Sequence, residues 1–427
     1  MKKLIAKLKS SSFFKNVVAL STGTAAAQAI TMLASPLITR IYGPESFGIL
    51  GVFSAITNII APIAALTYPV AIVLPKRDIE AKGLMILSFI VSLCISFMTL
   101  LFLLFFKDSV VNVFHLHEIA SYLYLIPLVI IFAGIMQIMN QWFIRKSKFK
   151  LSAKATFYQS VISNSGKVGL GYFYPSAFVL VVLTTFSYAI RAILLMLYER
   201  PSRLFKEAIK KKYINLYNLM VKYKDFPLYR APESLITSLS HGVPTLMLTI
   251  LFGPATVGFY SISRTVLSLP TQMVGNAVGD VFYPRVAKSF NNGKDISNMI
   301  FKATIIMFLV SLFPFGIVIL FGPQLFAFVF GAEWYVAGEY ARWISLWSIT
   351  NFSNRPATRS LAVINAQKFH LLYTTFGLII RIASLWLGFY FFKNDIFAIA
   401  MFSISGVILN IGLIAMSIYL SKKAINR

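Results

Sequence analysis

The sequence predicts an all-α fold: a polytopic membrane protein of twelve transmembrane helices in two six-helix bundles related as parallel repeats. Three observations carry this. Apolar runs of about twenty residues, enough to cross a ~30 Å hydrocarbon core, recur along the chain. Of its 427 residues 58% are hydrophobic and 13% charged, with a mean hydropathy of +0.75. The halves also echo each other: Gly43-Pro44-Glu45-Ser46-Phe47-Gly48 is answered by Gly253-Pro254-Ala255-Thr256-Val257-Gly258, Pro75-Lys76 by Pro284-Arg285, and Lys148-Phe149 by Lys368-Phe369. The offset grows only from 210 to 220 residues, as in a duplicated unit.

Charge placement then sets the topology. Spans are expected at 16–40, 46–74, 83–106, 119–143, 153–173 and 176–198, and again at 232–252, 256–283, 299–321, 337–362, 369–391 and 396–420. Runs this long are helices rather than the ten-residue alternation of barrel strands. Of the 40 Lys and Arg, 30 fall in the segments on the N-terminal side of this topology. The opposite loops hold little beyond Lys107 and Lys393, with Arg40 at a span edge. The asymmetry puts both termini in the cytoplasm and accounts for a net charge of +26 without nucleic acid. Domains follow as an N-terminal bundle 1–198, a basic cytoplasmic linker 199–231 and a C-terminal bundle 232–427.

At the N-terminus Lys15 and Asn16 interrupt the run before a signal-peptide core is complete, so an uncleaved first span is expected. The single Cys94 lies in an apolar span, which excludes a disulfide and a thiolate metal site. His115 and His117 beside Glu118 lack a fourth ligand at sensible spacing, so no metal and no cofactor is expected. Pro62, Pro127, Pro244, Pro270, Pro314 and Pro356 lie inside spans, where each bends a helix or marks a hinge. The loops opposite the cytoplasm are short, which leaves little room for an active site and argues against an enzyme.

Removing the loop charges leaves Lys167, Arg191, Arg264, Arg342, Arg355, Arg359 and Arg381 inside apolar spans. A cation at a helix centre costs about 2.5–3.5 kcal/mol on insertion scales, so such residues face a polar interior and mark function. Arg191, Arg342 and Arg359 lie near span ends and can snorkel; Lys167, Arg264, Arg355 and Arg381 are too deep for that. Polar residues recur beside them: Thr24, Gln28, Thr31, Ser35 and Thr39; Gln159 and Ser163 before Lys167; Ser268, Gln272, Asn276 and Asp280 after Arg264; and Ser345, Ser348 and Asn351 between Arg342 and Arg355. These stripes predict a water-lined cleft between the bundles. Its candidate substrate-binding cations are Lys167, Arg264, Arg355, Arg359, Arg381 and Arg342, with Gln28, Gln272, Asn276 and Asn351 as polar lining. The spans offer few acids, Glu233, Asp280 and Glu339, so the cargo is expected to be anionic; Arg suits phosphate through its bidentate fork. His241, Glu233 and Asp280 are the candidates for proton coupling, although for His241 a hydrogen-bonded helix–helix contact is the favoured reading.

Ser35-Pro36-Leu37-Ile38-Thr39-Arg40-Ile41-Tyr42-Gly43-Pro44-Glu45-Ser46-Phe47-Gly48 resembles the first-hairpin signature of bacterial polysaccharide flippases. So do Arg145-Lys146-Ser147-Lys148-Phe149 and the turn Phe330-Gly331-Ala332-Glu333-Trp334. The chain thus resembles, over its whole length, the polysaccharide transporter (O-antigen flippase, Wzx-type) family of the multidrug/oligosaccharidyl-lipid/polysaccharide exporter (MOP) superfamily. Ser263-Arg264-Thr265 followed by Pro270 also resembles the eighth-helix arginine of the related lipid II flippases. The resemblance implies two six-helix bundles around a V-shaped cavity in the bacterial inner membrane. It implies alternating access, with an undecaprenyl-diphosphate-linked oligosaccharide such as an O-antigen repeat of lipopolysaccharide moved from the inner to the outer leaflet. Membrane lipid and glycan polymerase or chain-length proteins are the partners it suggests. The alternatives are a multidrug cation exporter of the same superfamily, which wants intramembrane carboxylates, and a membrane polysaccharide polymerase, which wants a large outer loop.

Overall fold

The structure, a computed structural model, describes residues 12–114, 117–199, 215–293, 295–364 and 366–425. Within these, the side chains of 12–21, 113–114, 272–281, 283–284, 291 and 425 are not described. Among the described residues the fold is all helix, with twelve long helices in the expected order. The first six are α1 (Ser12–Ile41), α2 (Pro44–Ile60), α3 (Asp78–Phe114), α4 (Ile126–Arg145), α5 (Phe149–Phe173) and α6 (Ala177–Tyr198). The second six are α7 (Ala231–Phe252), α8 (Pro254–Asn291), α9 (Ser297–Phe330), α10 (Tyr335–Ser353), α11 (Gln367–Phe392) and α12 (Asp395–Ile425). Eight are long and apolar enough to cross a membrane. The four outside that set, α1, α5, α8 and α10, carry the polar stripes read from the sequence.

The repeated motifs open equivalent helices. Pro44 and Pro254 each sit in the first turn, where the missing N–H is no loss and φ is already helical. Gly253 has φ +87, a conformation that favours glycine, whereas Gly43 has φ −68 and does not need it. Lys148-Phe149 starts α5 and Lys368-Phe369 lies in the first turn of α11. Pro127 likewise falls in a first turn, while Pro244 and Pro314 lie inside their helices.

Pro356 does more than bend a span. The run read as one span over 337–362 breaks at Asn354 into α10 and a nine-residue continuation, Arg355–Val363, with Pro356 in its first turn. Proline cannot donate to the carbonyl four residues back, and its ring crowds that carbonyl, so the helix restarts. The stripe from Arg342 to Arg359 is therefore divided between two helical pieces.

The chain divides into two compact units, 1–250 and 251–427. The boundary drawn from sequence opened the second bundle at 232. In the structure α7 packs on α2 of the first unit, where a Cβ on Gly242 would meet the Ile59 side chain. In the first unit α1 packs along α5, α3 along α4, and α6 against α4 and α5. In the second, α10 is the central helix, packed on α8, α9 and α12, while α11 packs on α12. The α9–α10 approach is close enough that Gly338 faces the Gly322 carbonyl and the Pro323 backbone.

One core cluster of the first unit joins the α3 and α4 ends to the linker. Ile72, Leu84, Met85, Trp142 and Phe143 bury Leu219 and Tyr223, which lie in and just after the short helix Leu216–Lys222. The Thr67 hydroxyl donates to the Phe226 carbonyl (3.0 Å), and Lys222 pairs with Glu80 (3.0 Å). The second half of the linker is thus docked structure; residues 200–214 lie outside the described ones.

Candidate functional site

The deep cations divide between the units. In the first, Lys167 lies half-buried on α5, and Tyr42 donates its hydroxyl to the Lys167 carbonyl (2.9 Å). One turn earlier α5 is sealed against α1. The Ser160 hydroxyl donates to the Ala27 carbonyl (2.8 Å) and lies 3.0 Å from that of Thr31, and the Asn164 amide donates to Thr31 (3.1 Å). Thr31, part of the polar face expected on α1, is therefore used for helix–helix hydrogen bonding, with Ser160 and Asn164 of α5, each one residue on from Gln159 and Ser163 of the expected stripe. Gln28 is half-buried beside this seam and has an interaction of its own. Arg191 on α6 is half-buried, its Nε without a partner among the described residues.

The second unit holds the denser group. On α11 the Arg381 guanidinium lies over the Trp347 ring of α10, 5.7 Å from its centroid, and its Nε donates to the Gly377 carbonyl one turn back (3.3 Å). Arg264 on α8, which has a partner of its own, is near enough for its charge to act on Arg381. Arg355, at the restart of α10, is half-buried with its Nε unpartnered among the described residues, and Arg359 follows one turn on, exposed. Beside the break the Asn354 side-chain amide donates to Asn410 (3.2 Å) and the Asn410 amide to Thr350 (3.2 Å), leaving the Asn354 side-chain Oδ1 without a partner among the described residues. Asn351 is half-buried on the same helix.

The remaining candidates fare differently. Arg342 is already engaged: it pairs with Glu339 (3.1 Å) and donates to the Leu320 carbonyl (3.1 Å), so its charge is largely answered by the protein. His241 and Glu233 are both exposed on α7, His241 with an interaction of its own, and they do not form a buried pair. The side chains of Gln272, Asn276 and Asp280 lie outside the described residues. Among the described residues, Lys167, Arg355, Arg359 and Arg381 form no ion pair; the pairs present are Lys107–Asp108, Arg145–Asp78, Lys146–Asp78, Lys148–Glu199, Lys222–Glu80 and Arg342–Glu339. Chemically, each unit presents half-buried positive charge on its helices with no carboxylate paired to it among the described residues. Such charge favours anions, and guanidinium favours planar, multiply hydrogen-bonded ones such as phosphate.

Two residues of this arrangement were not read from the sequence. Trp347 underlies Arg381, and Gly406 of α12 faces the same indole. Neither belongs to a polar stripe, so helical periodicity gave no signal for them.

A profile described as "Polysaccharide biosynthesis protein" matches residues 37–339, most of the chain. The chain belongs to the polysaccharide biosynthesis protein family. Comparison with curated proteins finds no match. Among solved structures, this polysaccharide biosynthesis protein is similar to the inward-facing conformation of a multidrug resistance MATE family transporter of the MOP superfamily. That likeness has a TM-score of 0.75 at 14% identity, covering 93% of this chain and 96% of the other. It is also similar to the lipid II flippase MurJ in an inward closed conformation, with a TM-score of 0.74 at 14% identity, covering 95% and 90%. At such identities the likeness is one of fold. The chain therefore has the fold shared by a drug transporter of the MOP superfamily and a lipid flippase.

Proposed function

We propose that the chain is a flippase that carries an undecaprenyl-diphosphate-linked oligosaccharide, such as an O-antigen repeat, from the inner to the outer leaflet of the bacterial inner membrane by alternating access. Both termini face the cytoplasm in this reading, as the Lys and Arg asymmetry favours. The observation that carries it is the sign and isolation of the deep charge: Lys167, Arg355 and Arg381 are half-buried within the helical units without an acidic partner among the described residues. A cation held there at about 2.5–3.5 kcal/mol of insertion cost is retained for something that answers its charge, and the diphosphate of a lipid-linked sugar does so. Family membership supplies polysaccharide assembly as the setting, with a glycan polymerase as the expected neighbour. In this reading Arg264, Arg355 and Arg381 hold the diphosphate, Lys167 takes acidic sugar or phosphate, and half-buried amides such as Asn351 meet sugar hydroxyls.

The test is replacement of Arg264, Arg355 and Arg381 together by glutamine, in a strain lacking the chromosomal copy. Loss of surface polysaccharide, with lipid-linked glycan accumulating in the inner leaflet, is expected. Wild-type surface polysaccharide from a normally expressed triple variant overturns the assignment.

A further inference from the structure

Arg381 is the deep cation whose direction is best determined by its surroundings, and two other helices determine it. Its Nε is turned to the Gly377 carbonyl on its own helix, and the guanidinium lies over the Trp347 face, within the distance at which a ring quadrupole attracts a cation. Trp347 is fixed in turn by α12. The Phe402 ring meets it edge-on at 5.8 Å, and Gly406 lies directly against the indole. A Cβ added at Gly406 would come 2.6 Å from Cδ1, 3.0 Å from Nε1 and 3.2 Å from Cγ of Trp347. Those are atoms of a rigid ring rather than the end of a flexible chain, so the ring must move. By contrast, a Cβ on Gly377 would meet Leu409 at an ordinary 3.4 Å.

We propose that Trp347 and Gly406 are positioning residues for Arg381: the indole holds the guanidinium, and the missing side chain at 406 makes the room in which the indole lies. Neither residue needs to touch the cargo. The inference rests on the reading of Arg381 as a cation that meets a phosphate group. It adds that three helices, α10, α11 and α12, must keep their register for that charge to be presented.

The experiment measures binding to the purified full chain in detergent, with undecaprenyl diphosphate as probe and undecaprenol as the uncharged control. Gly406→Ala is expected to weaken diphosphate binding about tenfold while leaving undecaprenol unaffected. Trp347→Leu is expected to act in the same way. The double variant Gly406→Ala with Trp347→Phe, whose smaller ring relieves the clash and keeps a π face, is expected to return to within about threefold of wild type. Gly406→Ala added to Arg381→Gln is expected to do no further harm, because its effect runs through Arg381.

Trp347→Leu at wild-type affinity, with Arg381→Gln weakened, overturns the positioning role and leaves the anionic cargo standing. So does full additivity of Gly406→Ala and Arg381→Gln. Arg381→Gln at wild-type affinity overturns both readings. Trp347→Leu carries the same test should Gly406→Ala fail to fold.

Discussion

Replacing an arginine within a span by glutamine should have opposite consequences at Arg381 and Arg342, and the structure gives the magnitudes. Arg381→Gln removes a cation–π contact, about 0.5–2 kcal/mol, and one hydrogen bond to the Gly377 carbonyl, about 0.5–1.5 kcal/mol. It also removes a charge whose insertion cost is about 2.5–3.5 kcal/mol. No carboxylate is left behind, so these terms nearly cancel and the variant is expected to unfold at or slightly above the wild-type temperature. Arg342→Gln instead leaves Glu339, whose side chain is 24% exposed, without its partner and the Leu320 carbonyl without its donor. Full burial of such an orphan costs about 3–5 kcal/mol, and partial exposure reduces this to about 1–3 kcal/mol. Cargo should respond the other way. A charge-assisted bond to a diphosphate is worth about 1.5–3 kcal/mol, so Arg381→Gln should weaken undecaprenyl diphosphate by about 10–150-fold, while Arg342→Gln leaves its affinity unchanged. Thermal unfolding and ligand titration of both purified variants measure the two effects. Arg381→Gln melting below Arg342→Gln at wild-type diphosphate affinity refutes the reasoning, because Arg381 would then be a structural cation.

Three further outcomes follow from other parts of the fold. Gly338→Ala should destabilise the protein by about 1–3 kcal/mol, since the added methyl meets the Gly322 and Pro323 backbone and neither can swing aside; thermal unfolding reads it directly. At the linker, Tyr223→Ala should cost about 3–5 kcal/mol by opening the core around Leu84 and Trp142, whereas Lys222→Ala, breaking an exposed pair with Glu80, should leave the melting temperature close to that of wild type in the same assay. The Asp295 carboxyl, in the loop before α9, is held below the usual carboxylate range by the backbone N–H and the hydroxyl of Ser297. Its contribution is therefore complete above the unfolded-state value and is lost as pH falls through the folded one. The melting advantage of wild type over Asp295→Asn should shrink on acidification through that window, and an advantage that grows instead shows the sign to be wrong.

Much of the fold was legible because in lipid one requirement dominates: long apolar runs must close their own hydrogen bonds as helices. The Gly-Pro openings of α2 and α8 were visible for the same local reason. The break at Asn354 was less so. Pro356 announced a bend, but whether a membrane helix bends or restarts depends on what surrounds the break, and Asn410, which holds the Asn354 side chain there, lies 56 residues away. The pairing of Arg342 was within reach, since Glu339 precedes it by three residues, one helical neighbour away. The α1–α5 seam was not: polar residues that line a cavity and those that join two helices share the same periodicity. Only the contact of Thr31 with Ser160 and Asn164 separates them. Trp347 and Gly406 left no trace, because a ring that supports a cation looks in sequence like any apolar membrane residue.

The fold alone does not choose between a drug exporter and a lipid-glycan flippase, since the solved structures it resembles include both kinds. The choice falls to the sign of the unanswered interior charge. A cation exporter needs a carboxylate left open to its cargo. Among the described residues of the second unit, the two nearest such a role are already engaged. Glu339 is held by Arg342. Asp395 accepts the Tyr340 hydroxyl, lies 3.4 Å from that of Thr256, and accepts the Ile396 N–H at 2.8 Å. In the first unit Glu233 is exposed on α7. The cations are the reverse case: among the described residues Arg355 and Arg381 pair with no acid, so an arriving cation finds repulsion where an arriving phosphate finds donors. A strain lacking this chain should accordingly show unchanged sensitivity to lipophilic cations and reduced surface polysaccharide. Increased sensitivity with normal polysaccharide would reverse the assignment, because it would require a negative site that these side chains do not form.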